Sequence, residues 1–170
     1  PFLYLVFFVC LFSDVVFGGA SFVERDIHRY YFPVWQYAHH ALRSGILPLW
    51  NPLNHFGAPF LANVQACVTY PLTAFFFLGD FVWAFNFYIV FHLALAAFFA
   101  FLWMKDCGVG RLAAFLGGLA YGMSGFMLSA INLTITLCSA AYFPLVLLLF
   151  RRSLRDGRFL WKALAAAALL

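Results

Sequence analysis

The chain has 170 residues, of which 66% are apolar and only 9% charged, with a mean hydropathy of +0.94. So few polar side chains cannot cover a surface in water, which excludes an ordinary soluble domain. The net charge of +4 comes without a basic patch interleaved with aromatics, which excludes a nucleic-acid binder. Repeated apolar runs instead make the bilayer the solvent, and an all-α, polytopic transmembrane helix bundle the expected fold.

The first run, PFLYLVFFVCLF, lacks a charged leading region and a small-residue cleavage site. Residues 1–17 therefore read as a spanning helix rather than a signal peptide, with Asp14 near its outer end meeting water. The chain opens inside this run and stops inside an Ala- and Leu-rich stretch, the pattern expected of the N-terminal part of a longer transmembrane domain. A long loop, residues 18–80, follows. It begins with FVERDIHRYYFP, where Glu24, Arg25, Asp26, His28 and Arg29 crowd together in an otherwise oily sequence.

PVWQYAHHALRSG then reads as a short helix, with Pro33 suited to its first turn and Gly45 supplying the stop. Trp35, Ala38 and Leu42 share one side, while Gln36, His40 and Arg43 lie elsewhere. Trp and Tyr among its apolar residues suit a place on the membrane surface. GILPLWNPLNHFGAP, rich in proline and glycine, reads as a rigid, shaped loop in which His55 is structural. Residues 60–79 are interrupted by Asn63, Gln65 and Pro71, and read as a re-entrant or interfacial helix. Amides such as Asn63 and Gln65 near membrane depth either hydrogen-bond a neighbouring segment or touch substrate.

Clear spans follow at 81–104, 112–131 and 134–150, with a last one begun at 159–170. Gly117, Gly118, Gly122, Ser124 and Gly125 form a small-residue face for close helix approach. Asp14 and His92 are ionisable groups in or near spans, candidates for function by default, and His92, beside Asn86, is expected to face the bundle interior. Asn132 and Leu133 make a tight turn, and the glycosylation pattern Asn132-Leu133-Thr134 is read as chance. The four cysteines are isolated apolar fillers. His39 and His40 are adjacent and point apart on a helix, so they cannot share a metal. No metal or other cofactor is expected.

The series RDIHRYYFPVW, then SGILPLWNPLNHFGAPFLANVQACVTYPL, and later GVGRLAAFLGGLAYGMSGF resembles the bacterial YfhO-like membrane proteins, which belong to the GT-C superfamily of polytopic glycosyltransferases. The matching positions are Asp26, Phe32-Pro33, residues 45–52, 57–65 and 70–72, in the family's order. The resemblance implies a GT-C-like architecture in the bacterial cytoplasmic membrane, with the long loop outside the cytoplasm. It also implies sugar transfer from a polyprenyl-phosphate-linked donor to a cell-envelope glycan or lipid acceptor. Asp26 matches the superfamily's catalytic carboxylate. Some members use a divalent metal, but no second acidic ligand set is visible here.

Charge placement bears on sidedness. If 60–79 does not span, the loops at 105–111 and 151–162 share one side with seven Lys/Arg, against Arg25, Arg29 and Arg43 on the other. The positive-inside rule then puts the long loop outside. If 60–79 does span, all ten fall on the cytoplasmic side, which charge counting alone favours; the polar and proline interruptions, and the resemblance, argue against it.

Glycosyl transfer from a lipid phosphate needs a base near the acceptor and positive charge near the departing phosphate. Asp26 is the candidate base. Arg25, His28 and Arg29 are candidates for the phosphate, with Asn63 and Gln65 as further substrate contacts. If the segment is helical, Arg25 and Arg29 stack on one face. The duller reading is a charged collar in which Glu24 and Asp26 simply pair with Arg25 and Arg29. Two other functions stay open: a lipid or solute transporter or flippase, using mid-membrane groups such as His92 and Asn86, and a non-catalytic scaffold for envelope assembly.

Overall fold

The computed structural model describes residues 2–53, 56–77 and 79–156; His55 and the helix expected over 159–170 lie outside the described residues. The chain is mostly helical, with one small ribbon. The run expected as one helix over 1–17 is α1 (Phe2–Leu11) followed by the single turn α2 (Ser13–Val16). Ten residues at ~1.5 Å each cover about 15 Å, half a hydrocarbon core. The loop carries α3 (Phe32–Arg43) and the strands β1 (Trp50–Asn51) and β2 (Ala58–Pro59), which pair antiparallel. After it come α4 (Phe81–Asp106), α5 (Arg111–Gly122), α6 (Gly125–Ala130) and α7 (Thr134–Asp156).

Among the described residues, three stretches are long and apolar enough to cross a membrane: Phe81–Asp106, Arg111–Ala130 and Thr134–Arg155. The middle one is interrupted, where an unbroken helix was expected. α5 ends at Gly122, and the Ser124 hydroxyl accepts the Met127 N–H at 3.3 Å to start α6 afresh. A serine that can bond the backbone locally favours a helix start over a helix interior.

The chain forms two compact units, and α4 and α7 contribute to both. The first comprises, among the described residues, 2–12, 89–131 and 136–156. Its packing rests on the missing side chains of α5. A Cβ at Gly118 would lie 2.5 Å from both the Ala97 carbonyl and the Tyr4 hydroxyl, and one at Gly122 would lie 2.9 Å from the Phe8 ring. Gly117 faces Met104 in the same way, whereas nothing lies near Gly125. Tyr4 Oη donates to the Phe115 carbonyl (3.1 Å) and Tyr121 Oη to that of Ala140 (2.8 Å). His92 is buried on α4, as expected. At the ends of α4 and α7, Asp106 accepts from Arg152 Nε (2.9 Å) and Arg151 (3.2 Å), with Arg155 at 3.7 Å.

The second unit comprises residues 13–88 and 132–135. Its centre is Trp35, whose ring lies 4.9 Å from that of Phe76, 5.1 Å from Tyr88 and 5.7 Å from Phe85. Trp35 Nε1 donates to the Gln65 carbonyl at 3.3 Å. α3 turns Val34, Trp35, Ala38 and His39 inward, where ring-on-ring packing uses the aromatic area. His39 is structural: its Nδ1 donates to the Phe76 carbonyl at 2.6 Å.

The described part of residues 60–79 holds only two 3-10 segments, Val64–Ala66 and Pro71–Phe77. Seven residues at ~2 Å each reach about 14 Å. Its described residues therefore hold no helix long enough to cross, and the helical turns there are 3-10 in kind.

The glycine geometry makes a differential prediction. Gly118→Ala should lower the thermal unfolding temperature in detergent, by an overpacking cost of about 1–3 kcal/mol. Gly125→Ala, with open space for its methyl, should leave that temperature unchanged or raise it slightly.

Candidate functional site

The charged segment is positioned by a single buried amide. Asn86, on α4, is 1% exposed. Its Nδ2 donates to the carbonyls of Ala20 (2.9 Å) and Val15 (3.2 Å), and its Oδ1 accepts from Ser21 Oγ (3.1 Å) and the Phe22 N–H (3.3 Å). Two donors and two acceptor positions are all that an amide side chain offers. Asn86 is saturated, and the chain is clamped immediately before Glu24. It serves the loop in this way, where a mid-membrane role was one expectation for it.

Beyond the clamp the backbone turns sharply. Arg25 sits at φ +40, a left-handed conformation that costs a non-glycine residue energy. A π-helical turn, Ile27–Tyr31, follows; such turns are rare and frequent at functional sites. Because Arg25 lies outside any right-handed helix, it and Arg29 are not stacked as they would be on a regular one. The Asp26 N–H donates to Asn132 Oδ1 at 3.2 Å, which ties the segment to the turn before α7. Ile27 and Tyr31 are buried, while Arg25, Asp26, His28 and Arg29 are exposed.

Val23, Arg25, Asp26, His28 and Arg29 line one open concavity of about 530 Å³. A second, of about 350 Å³, shares Arg29 and is walled by Tyr30, Tyr37, Asn51 and Leu53 among others. Both volumes lie in the range of small-molecule sites. Among the described residues every ion pair within 4 Å involves Asp106. None joins Glu24 or Asp26 to Arg25, His28 or Arg29, so the collar of mutual pairs is not what this segment forms.

Asn63 and Gln65 line neither concavity. Asn63 accepts the Gln65 N–H at 3.0 Å, capping the segment Val64–Ala66, and donates to Tyr30 Oη at 2.9 Å. Its amide is used in holding the loop. Gln65 is exposed and contributes its carbonyl to Trp35. Asp14 is exposed at the protein surface. His40 is exposed, and no group of three or more His, Cys, Asp or Glu among the described residues could hold a metal. Burial pushes the Cys67 thiol above its ordinary pKa.

Asn132 is the site residue that sequence reasoning passed over: a turn already explains an asparagine, and nothing local points to a partner 106 positions away. Fold and site together define an all-α, membrane-associated protein whose loop presents an acidic group and three basic groups without mutual ion pairs. No family model, curated protein or solved structure matches the chain.

Asn86→Asp keeps the size of the side chain but turns an acceptor toward the Val15 and Ala20 carbonyls. A loss of at least ~2 kcal/mol is expected, read as a lower unfolding temperature, together with faster amide hydrogen exchange across residues 20–26. Asn132→Ala should speed exchange of the Asp26 amide with little change in unfolding temperature, because that bond is exposed.

Proposed function

We propose that this chain carries the acceptor-activating and phosphate-binding loop of a GT-C-type membrane glycosyltransferase, acting on a polyprenyl-phosphate-linked sugar on the extracytoplasmic side. The observation that carries this reading is the concavity itself: a carboxylate, two guanidiniums and an imidazole line one open space and form no ion pairs with one another. Charged groups left unpaired beside a cavity are available to a ligand. The YfhO-like order of motifs supports the same assignment.

In the proposed reaction the acceptor hydroxyl attacks the anomeric carbon, forming a new C–O bond as the bond to the phosphate oxygen breaks. The hydroxyl proton passes to the Asp26 carboxylate, and the departing polyprenyl phosphate carries the electron pair away. Arg25 and Arg29 offset the charge growing on that phosphate, and His28 can donate a hydrogen bond to it. One carboxylate acting as base fits direct displacement with inversion, whereas the double-displacement scheme needs a second flanking carboxylate. The transporter reading is weakened because Asn86, one of its two mid-membrane groups, is fully occupied by the loop.

The proposed sidedness is supported by charge: α7 ends on Arg151, Arg152 and Arg155, and arginines collect on the cytoplasmic side, which favours an outer position for the opposite end of that helix.

Asp26→Asn should cut glycan transfer by the full-length enzyme ~10²–10⁴-fold at normal expression; unchanged transfer would remove Asp26 as base. A cysteine at exposed Glu24, in a background without the native cysteines, should react with a membrane-impermeant thiol reagent in intact cells. Labelling only after permeabilisation would put the loop in the cytoplasm and end the proposal.

A further inference from the structure

Between Arg43 and Asp80 the sequence contains no Asp, Glu, Lys or Arg at all. The same stretch exposes a dense set of large apolar side chains. On the ribbon β1–β2 and its flanks, Leu53 is 82% exposed, Phe56 fully so, and Ile46, Leu47, Leu49 and Trp50 each more than half. Scattered apolar residues on a surface are ordinary, but six large ones this exposed, in a stretch with no charged residue of its own, mark an interaction surface.

We infer that the ribbon region, residues 46–53 together with Phe56, is a lipid-contacting element that rests its apolar side chains in the headgroup–acyl boundary of the same membrane that the long helices cross. Three observations select lipid as the occupant. A bilayer is adjacent whenever Phe81–Asp106, Arg111–Ala130 and Thr134–Arg155 are embedded, and the stretch leads directly into the first of them. The absence of charge removes the largest cost of entering a low-dielectric boundary.

The backbone is also prepared for that boundary. Pro48, Pro52 and Pro59 have no N–H to leave unpaired. Several other polar groups are satisfied internally: the Phe60 N–H donates to the Leu49 carbonyl (2.8 Å), Tyr37 Oη to the Trp50 carbonyl (2.7 Å), and the Leu53 N–H to Asn51 Oδ1 (2.9 Å). Polar backbone is tolerated near lipid only where it is satisfied in this way. Gly57, at φ +111, lets the Trp50 ring lie against the backbone, where a Cβ would come within 2.5 Å of it. Trp favours the boundary depth. The inference stands apart from the transferase reading, though Asn51 and Leu53 also wall the concavity that contains Arg29.

The test uses the full-length protein in nanodiscs. Bimane attached to a cysteine at position 53 or 56, with the native cysteines replaced, should be quenched several-fold more strongly by lipids spin-labelled near the headgroup than bimane at position 24. Aqueous iodide should show the reverse order. Equal iodide quenching at 53, 56 and 24 would mean that the ribbon faces water, and quenching by neither agent would mean that protein covers it; either result overturns the inference. Should the cysteine-free background not fold, the Trp50→Phe variant with native cysteines gives a second reading. The fluorescence it removes should be the component quenched by brominated lipids, and a removed component insensitive to bromine overturns the inference equally.

Discussion

The architecture of the loop depends on one amide that has nothing left to bond. Asn86 sits on an apolar helix, and in such surroundings every unpaired polar atom carries a heavy penalty. Its four bonds to Val15, Ala20, Ser21 and Phe22 remove that penalty, and at the same time fix where the chain leaves α2. Each polar group satisfies the other's need. The charged segment can then be strained at Arg25 and wound into a π turn because both ends are held, by Asn86 before it and by buried Ile27, Tyr31 and Trp35 after it.

That restraint explains how the exposed charges stay apart. Ordinarily acidic and basic side chains within six positions pair in some rotamer, for a gain of about 0–1 kcal/mol at an exposed site. Here Arg25 is left-handed and residues 27–31 form a π turn, so the segment is not the regular helix on which such pairs form most readily. The contrast within the chain is Asp106, which three arginines surround at the ends of α4 and α7. Asp106 is held in ion pairs, whereas Asp26 is in none within 4 Å among the described residues.

The loop also divides its aromatic and aliphatic residues by a rule that hydropathy alone does not express. Trp35, Phe76, Phe85 and Tyr88 pack on each other, whereas Trp50, Leu53 and Phe56 remain uncovered. Both groups look equally oily in sequence. What separates them is partner geometry: α3 meets α4 and the 3-10 segment Pro71–Phe77, while the ribbon β1–β2 is too short to bury its own side chains.

By itself the sequence determined the solvent, the helical class and the long apolar stretches, because these follow from sums over neighbouring residues. It also marked Gly117, Gly118 and Gly122 as packing positions, and the interruptions that keep residues 60–79 from forming a spanning helix. Only the tertiary structure decided that α3 buries the face of Trp35, that Asn63 bonds Tyr30, and that Asn86 and Asn132 hold the charged segment. These are pairings across 30 to 106 positions. An amide's chemistry says that it must find partners, but the fold chooses which ones, since hydrogen bonds between distant segments leave no period in the sequence.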